Sequence, residues 1–121
     1  MHRRPGPRAV SVPLRRLVAE AARLFNTTSA DIMSHSRFQP HVRPRWAVAY
    51  ALHQRGVPYA EIGRWLDRDH TTIIHCIREM PGRMARDEHL TEATAHLVNY
   101  ALDIWPKRVR ASPRQQQETA T

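Results

Sequence analysis

Asp69-His70-Thr71-Thr72 is a run of four short polar side chains standing directly before an apolar series, Ile73, Ile77 and Met80. That i, i+4, i+7 spacing predicts a helix with one buried stripe. Asp69 has the chemistry of an N-cap, its carboxylate able to accept from the unpaired N–H groups of the next turn. His70, Thr71 and Thr72 are then left at the exposed leading end. Such an end can read DNA in a major groove. An imidazole N–H donates to a purine N7 or O6, a threonine methyl packs on a thymine methyl, and a carboxylate accepts from a cytosine or adenine amino group. From these residues alone, Asp69 and Thr72 acting only as helix caps is the favoured reading.

Upstream, Tyr59 to Leu66 places Ile62, Trp65 and Leu66 on one side at helical spacing, and Asp67-Arg68 forms a short turn into Asp69. Two small helices around a tight turn describe a helix-turn-helix, whose second helix enters the major groove by its N-terminal residues. The opening N–H groups of the first helix, at Tyr59 and Ala60, are placed to clamp a phosphate.

Asp69-His70-Thr71-Thr72, with Glu61-Ile62-Gly63 before it, Ile73-Ile74-His75 after it and Arg43-Pro44-Arg45 and Arg37 further upstream, resembles the C-terminal DNA-binding domain (domain IV) of the bacterial chromosomal replication initiator DnaA. The likeness covers about residues 14–80. It implies base contacts from Asp69, His70 and Thr71, and insertion of Arg37 into a narrow A·T-rich minor groove, where the potential is deeply negative. It implies phosphate contacts from Thr72, Arg43, Arg45 and the position of His53. For Arg45, an ordinary surface position on the third helix is the alternative. Trp46 and His53 depart from the polar or lysine residues common in the family. Asp67 stands where glycine is common, in a shortened turn.

The formal charge is +8. Residues 1–13 carry three basic groups and no acid, and residues 106–121 four basic groups and one acid, so most of the excess lies in the tails. No Asp or Glu occurs between Asp31 and Glu61, whereas Arg37, Arg43, Arg45, Arg55 and three histidines do. A one-sign patch beside a helix-turn-helix supplies salt-sensitive, sequence-independent DNA affinity. No apolar run approaches the ~18 to 20 residues of a membrane span, and no apolar run follows Arg3, Arg4 and Arg8 as a secretory signal requires. Cys76 is the single cysteine, which suits a reducing cytoplasm. His70, His75 and Cys76 lack metal-ligand spacing, so no metal or other cofactor is expected. No Gly-x-x-x-x-Gly-Lys-Ser/Thr loop for nucleotide is present. No nucleophile–base pair can be assembled from spacing, and no enzyme is expected.

The elements that must position these residues are all helical. Leu14, Leu17, Val18, Ala21, Leu24 and Phe25 form an amphipathic stripe after Pro13, and Thr28 or Ser29 can cap a short helix through Met33. Ser34 to Arg43 reads as a polar, basic loop, and Pro44 as the start of a third helix over Arg45–Arg55 closed by Gly56. Pro81-Gly82 reads as a break. A last helix buries Leu90, Ala93, Leu97, Ala101 and Ile104 and stops at Pro106. The expected fold is all-α, a small helical bundle containing a helix-turn-helix, Trp-repressor-like or DnaA domain IV-like. Residues 1–12 are expected as a basic flexible arm, 13–105 as the domain, and 106–121 as a disordered basic tail.

The resemblance implies sequence-specific binding of double-stranded DNA at DnaA-box-like sites of the TTATCCACA kind, regulating replication initiation or transcription from the nucleoid. An adaptor docking the replication initiator or other proteins through Leu90, Val98, Tyr100 and Trp105 is the alternative, against those side chains packing their own core.

Overall fold

The computed structural model describes residues 12–105. The expected basic arm, apart from Val12, and the expected basic tail lie outside the described residues. Six helices follow in order: α1 Val12–Leu24, α2 Ser29–Met33, α3 Gln39–Gln54, α4 Tyr59–Leu66, α5 His70–Ala85 and α6 Glu88–Ile104. There is no strand among the described residues.

The α1 stripe is buried as its spacing requires, with Leu14, Leu17, Val18, Ala21 and Ala22 inside. Asn26 turns left-handed (φ 54°) and the Thr27 N–H returns to the Ala22 carbonyl at 2.9 Å, a hydrogen-bonded stop that leaves few orphan carbonyls. Thr28 rather than Ser29 caps α2, its side chain accepting from the Asp31 N–H.

The third helix is longer than its sequence suggests. It begins at Gln39 rather than after Pro44, so the expected loop is shortened to about residues 34–38. Pro40 occupies its first turn, where a missing N–H costs nothing, and His41 and Val42 both donate to the Phe38 carbonyl. Pro44 sits inside the helix, fully buried. It forfeits one backbone bond, which burial of its ring offsets. The helix ends as expected at Gly56, whose φ of 102° favours glycine, and the Val57 N–H closes onto Leu52 at 3.1 Å.

Pro81-Gly82 likewise fails to break the chain: α5 runs through it to Ala85. Pro81 is exposed and removes one hydrogen bond, while Met80 before it is fully buried and holds that turn against the core. In α6, Leu90, Ala93, Leu97 and Ala101 are buried as expected, but Thr94 completes the stripe and Ile104 is only half-buried. Trp105 leaves the helix in an extended conformation, as a residue before proline must. Its ring stacks on Trp65 with centroids 5.6 Å apart.

Helix α3 is the hub, packed against α6, α5, α1 and α2, while α4 rides chiefly on α5. The alanine-rich face of α3 (Ala47, Ala49, Ala51 with Val48 and Leu52) is buried, and its small side chains permit close helix approach. Leu90 and Trp105, which the adaptor reading needs exposed, belong to this core, and Val98 and Tyr100 are half-buried against it. No helix of the described chain is long and apolar enough to cross a membrane.

Candidate nucleic-acid interface

The motif closes through its turn. Asp67 ends α4 in the left-handed conformation (φ 57°, ψ 50°), and the Arg68 N–H donates to the Gly63 carbonyl at 2.7 Å. Asp69 then caps α5, its side chain accepting from the Thr71 N–H at 3.1 Å and from the Thr71 hydroxyl. These bonds hold the Asp69 carboxyl below its ordinary range, because they stabilise the charged form. Capping and reading are therefore compatible. A carboxylate accepts up to four bonds, and Asp69, His70, Thr71 and Thr72 are all exposed.

A second segment lies against this turn. The 34–38 loop is held from below by two arginines and braced internally by two serines. Arg45 Nε donates to the Ile32 carbonyl at 2.7 Å, Nη1 to Ser36 at 3.0 Å and Nη2 to Asp31 at 3.4 Å. Arg68 donates to the carbonyls of Leu66, Asp67 and Ser34. His35 Nε2 meets Asp67 Oδ2 at 3.1 Å, fixing the loop to the turn itself. Ser34 Oγ accepts from the Ser36 N–H, and Ser36 Oγ from the Phe38 N–H. Arg37 is carried at the tip, exposed, with no hydrogen bond or ion pair among the described residues. Arg37, Arg45, Arg68 and Thr72 all line one cleft of about 390 Å³ between the loop and the start of α5.

Several residues expected at phosphates have partners within the protein. Arg45 is only 7% exposed, so it is not an ordinary surface residue, though it reaches the wall of the cleft. Three of its five N–H donors are taken by carbonyls, and burial pulls its pKa down to about 10, still charged at neutral pH. Arg43 pairs with Asp87 at 2.7 Å and lies over the Phe25 ring, tying α3 to the residue that caps α6 at Leu90. Neutralised by a carboxylate, its guanidinium is a weaker phosphate partner. His53 stacks on Tyr59 (4.4 Å, 9° between planes) with a buried, unpartnered Nδ1. Burial lowers its pKa, favouring the neutral ring. The N–H groups of Tyr59 and Ala60 precede the first intrahelical bonds of α4, which start at Glu61 and Ile62, so they remain open for an anion. Thr72 is exposed at the cleft wall.

Sequence reasoning missed Arg68, whose carbonyl bonds lock turn to loop. The signal was its position in the turn, but a surface arginine and a buried brace look alike in sequence. It also missed what Trp46 does: its ring lies 4.1 Å from the Arg83 guanidinium, an attraction between cation and π-face. Cys76 is buried and its thiol pushed up to about 12, which makes it a packing residue with almost no thiolate at neutral pH.

Comparison with known proteins agrees with this geometry. Residues 15–80, more than half of the chain, match the family described as the bacterial DnaA protein helix-turn-helix. The chain is similar to chromosomal replication initiator protein DnaA of Rhodopseudomonas palustris, 39% identical over 75 residues, which are 59% of this chain and 15% of that protein. It is also similar to the DnaA proteins of Xanthobacter autotrophicus (36% identical, 68% of this chain and 17% of that one) and Nitrobacter hamburgensis (34%, with 71% and 18%). The chain thus spans less than a fifth of the length of these relatives. With the helix-turn-helix, the capped start of α5 and the match over residues 15–80 in agreement, the chain belongs to the bacterial DnaA helix-turn-helix family of DNA-binding domains.

Proposed function

We propose that this protein binds double-stranded DNA at asymmetric DnaA-box-like sites, one molecule per site, and thereby regulates replication initiation or transcription. In this reading α5 enters the major groove, where Asp69, His70 and Thr71 meet base edges. Arg37 enters the adjacent minor groove, and Thr72 with the N–H groups of Tyr59 and Ala60 holds phosphates. The observation that carries the reading is the union of two exposed elements by one buried and one half-buried arginine. The capped end of α5 and the Arg37 loop are joined through Arg45, Arg68 and the His35–Asp67 contact. A rigid two-point reader needs no two-fold partner, because an asymmetric site is read in both grooves by one molecule.

Fluorescence anisotropy with a DnaA-box duplex and a scrambled duplex, across a salt series, tests this directly. The expected result is a specificity ratio well above one that largely disappears in His70→Ala or Thr71→Ala. Equal, weak and steeply salt-dependent binding to both duplexes would overturn it.

A further inference from the structure

Phe38 is 61% exposed, more than any other large hydrophobic side chain among the described residues, and the fold has no use for it there. It occupies the N-cap position of α3 without any side-chain capping bond, at a site where serine, threonine, asparagine or aspartate would accept from the helix's open N–H groups. It contributes neither burial nor capping. Yet its placement is tightly controlled. Its N–H donates to Ser36 Oγ at 3.0 Å, Ser36 N–H to Ser34 Oγ, and Ser34 Oγ–H to the Asp31 carbonyl at 2.7 Å. One side of the ring is supported edge-on by His41, centroids 5.1 Å apart, whose own Nδ1 lies 3.0 Å from Ser36 Oγ. An apolar ring held out in water by a chain of polar contacts is arranged for something outside the protein.

Its neighbour says what that is. Arg37 precedes it at the same braced tip, and Arg45 and Arg68 set that tip against the reading helix. We propose that Phe38 is an apolar wedge that enters the DNA minor groove beside Arg37, pressing on one base step and partly unstacking it. The proposal deepens the DNA-reading function above and rests on it. An arginine and an adjacent apolar side chain are the two parts that minor-groove binders combine, the cation seeking the negative potential of a narrow groove and the wedge a deformable step. The rigid loop means that little side-chain or backbone freedom is lost when the wedge docks. A preference for a flexible pyrimidine–purine step at that position, additional to the bases met by α5, is the specificity consequence.

The test uses the full chain and box duplexes in which 2-aminopurine replaces adenine at each position of the minor-groove segment in turn. Wild type is expected to raise 2-aminopurine fluorescence at one step, and Phe38→Ala to abolish that rise and weaken box binding about tenfold, the scale of one aromatic–base contact. Phe38→Leu, still apolar, is expected to recover much of both. Because Phe38 is exposed, melting of both variants should match wild type. Unchanged affinity and fluorescence in Phe38→Ala would overturn the wedge while leaving His70-dependent box recognition standing. A wild-type protein that fails to distinguish box from scrambled duplex would overturn the DNA-reading function and the wedge together.

Discussion

A β-carbon built on Gly63 would stand 2.6 Å from the Arg68 carbonyl oxygen, so the two sides of the helix-turn-helix meet at a distance only glycine permits. The oxygen belongs to main chain, and the same Arg68 donates its N–H back to Gly63. Neither partner can yield without moving the turn that carries Asp69.

Gly63→Ala is therefore expected to destabilise the fold by about 1–3 kcal/mol, the usual cost of forcing atoms into a packed site. Box affinity should fall as well, because the α5 end is re-aimed. Chemical denaturation of the variant checks the first, anisotropy the second. An unchanged denaturation midpoint would show that the contact relaxes freely.

Arg45→Ala should behave as a core lesion and not as the loss of a surface charge. Removing the guanidinium strips donors from the Ile32 and Ser36 carbonyls, at a cost of about 2–3 kcal/mol for charged hydrogen bonds inside a protein. The expected outcome is a lower melting temperature without DNA, together with loss of the Arg37-dependent part of specificity. An ordinary phosphate contact would instead leave melting unchanged and weaken both duplexes alike.

Arg37→Ala should leave melting untouched, since the side chain is exposed and unpaired among the described residues. It is expected to cost about 1–3 kcal/mol of box affinity, concentrated on duplexes with an A·T-rich minor groove. Replacing those pairs by G·C in the wild-type complex should produce the same loss, and the two changes together little more than either alone.

Stability should decline with acid through His53. Burial lowers its folded pKa below the ordinary 6.5, so below that value the unfolded chain binds the proton more readily and folding is penalised. The contribution is complete above pH 6.5 and is lost as pH falls from there toward the depressed folded value. Melting curves between pH 8 and pH 5 should show a slope that His53→Gln reduces.

Cys76 should resist maleimide in the native protein and react at a rate set by unfolding, since its thiol is buried and its pKa is pushed up to about 12. Labelling that tracks denaturant concentration is the expected outcome. Fast native labelling would show that the α5 face opens locally.

The helical class, the α1 stripe, the capped start of α5 and the family itself were legible in the residues, because periodicity and capping are local. The start of α3 and the passage of α5 through Pro81-Gly82 were not. A proline's cost is local, but the burial of Pro44 and Met80 that outweighs it comes from distant helices. The roles of the arginines were the least legible. Arg37, Arg43, Arg45 and Arg68 are one residue type and look alike in the sequence, and only the tertiary structure decided among them. It exposes the first, pairs the second with Asp87, and turns the last two inward onto carbonyls. A guanidinium goes where acceptors are unsatisfied, and where those acceptors lie is a property of the folded backbone.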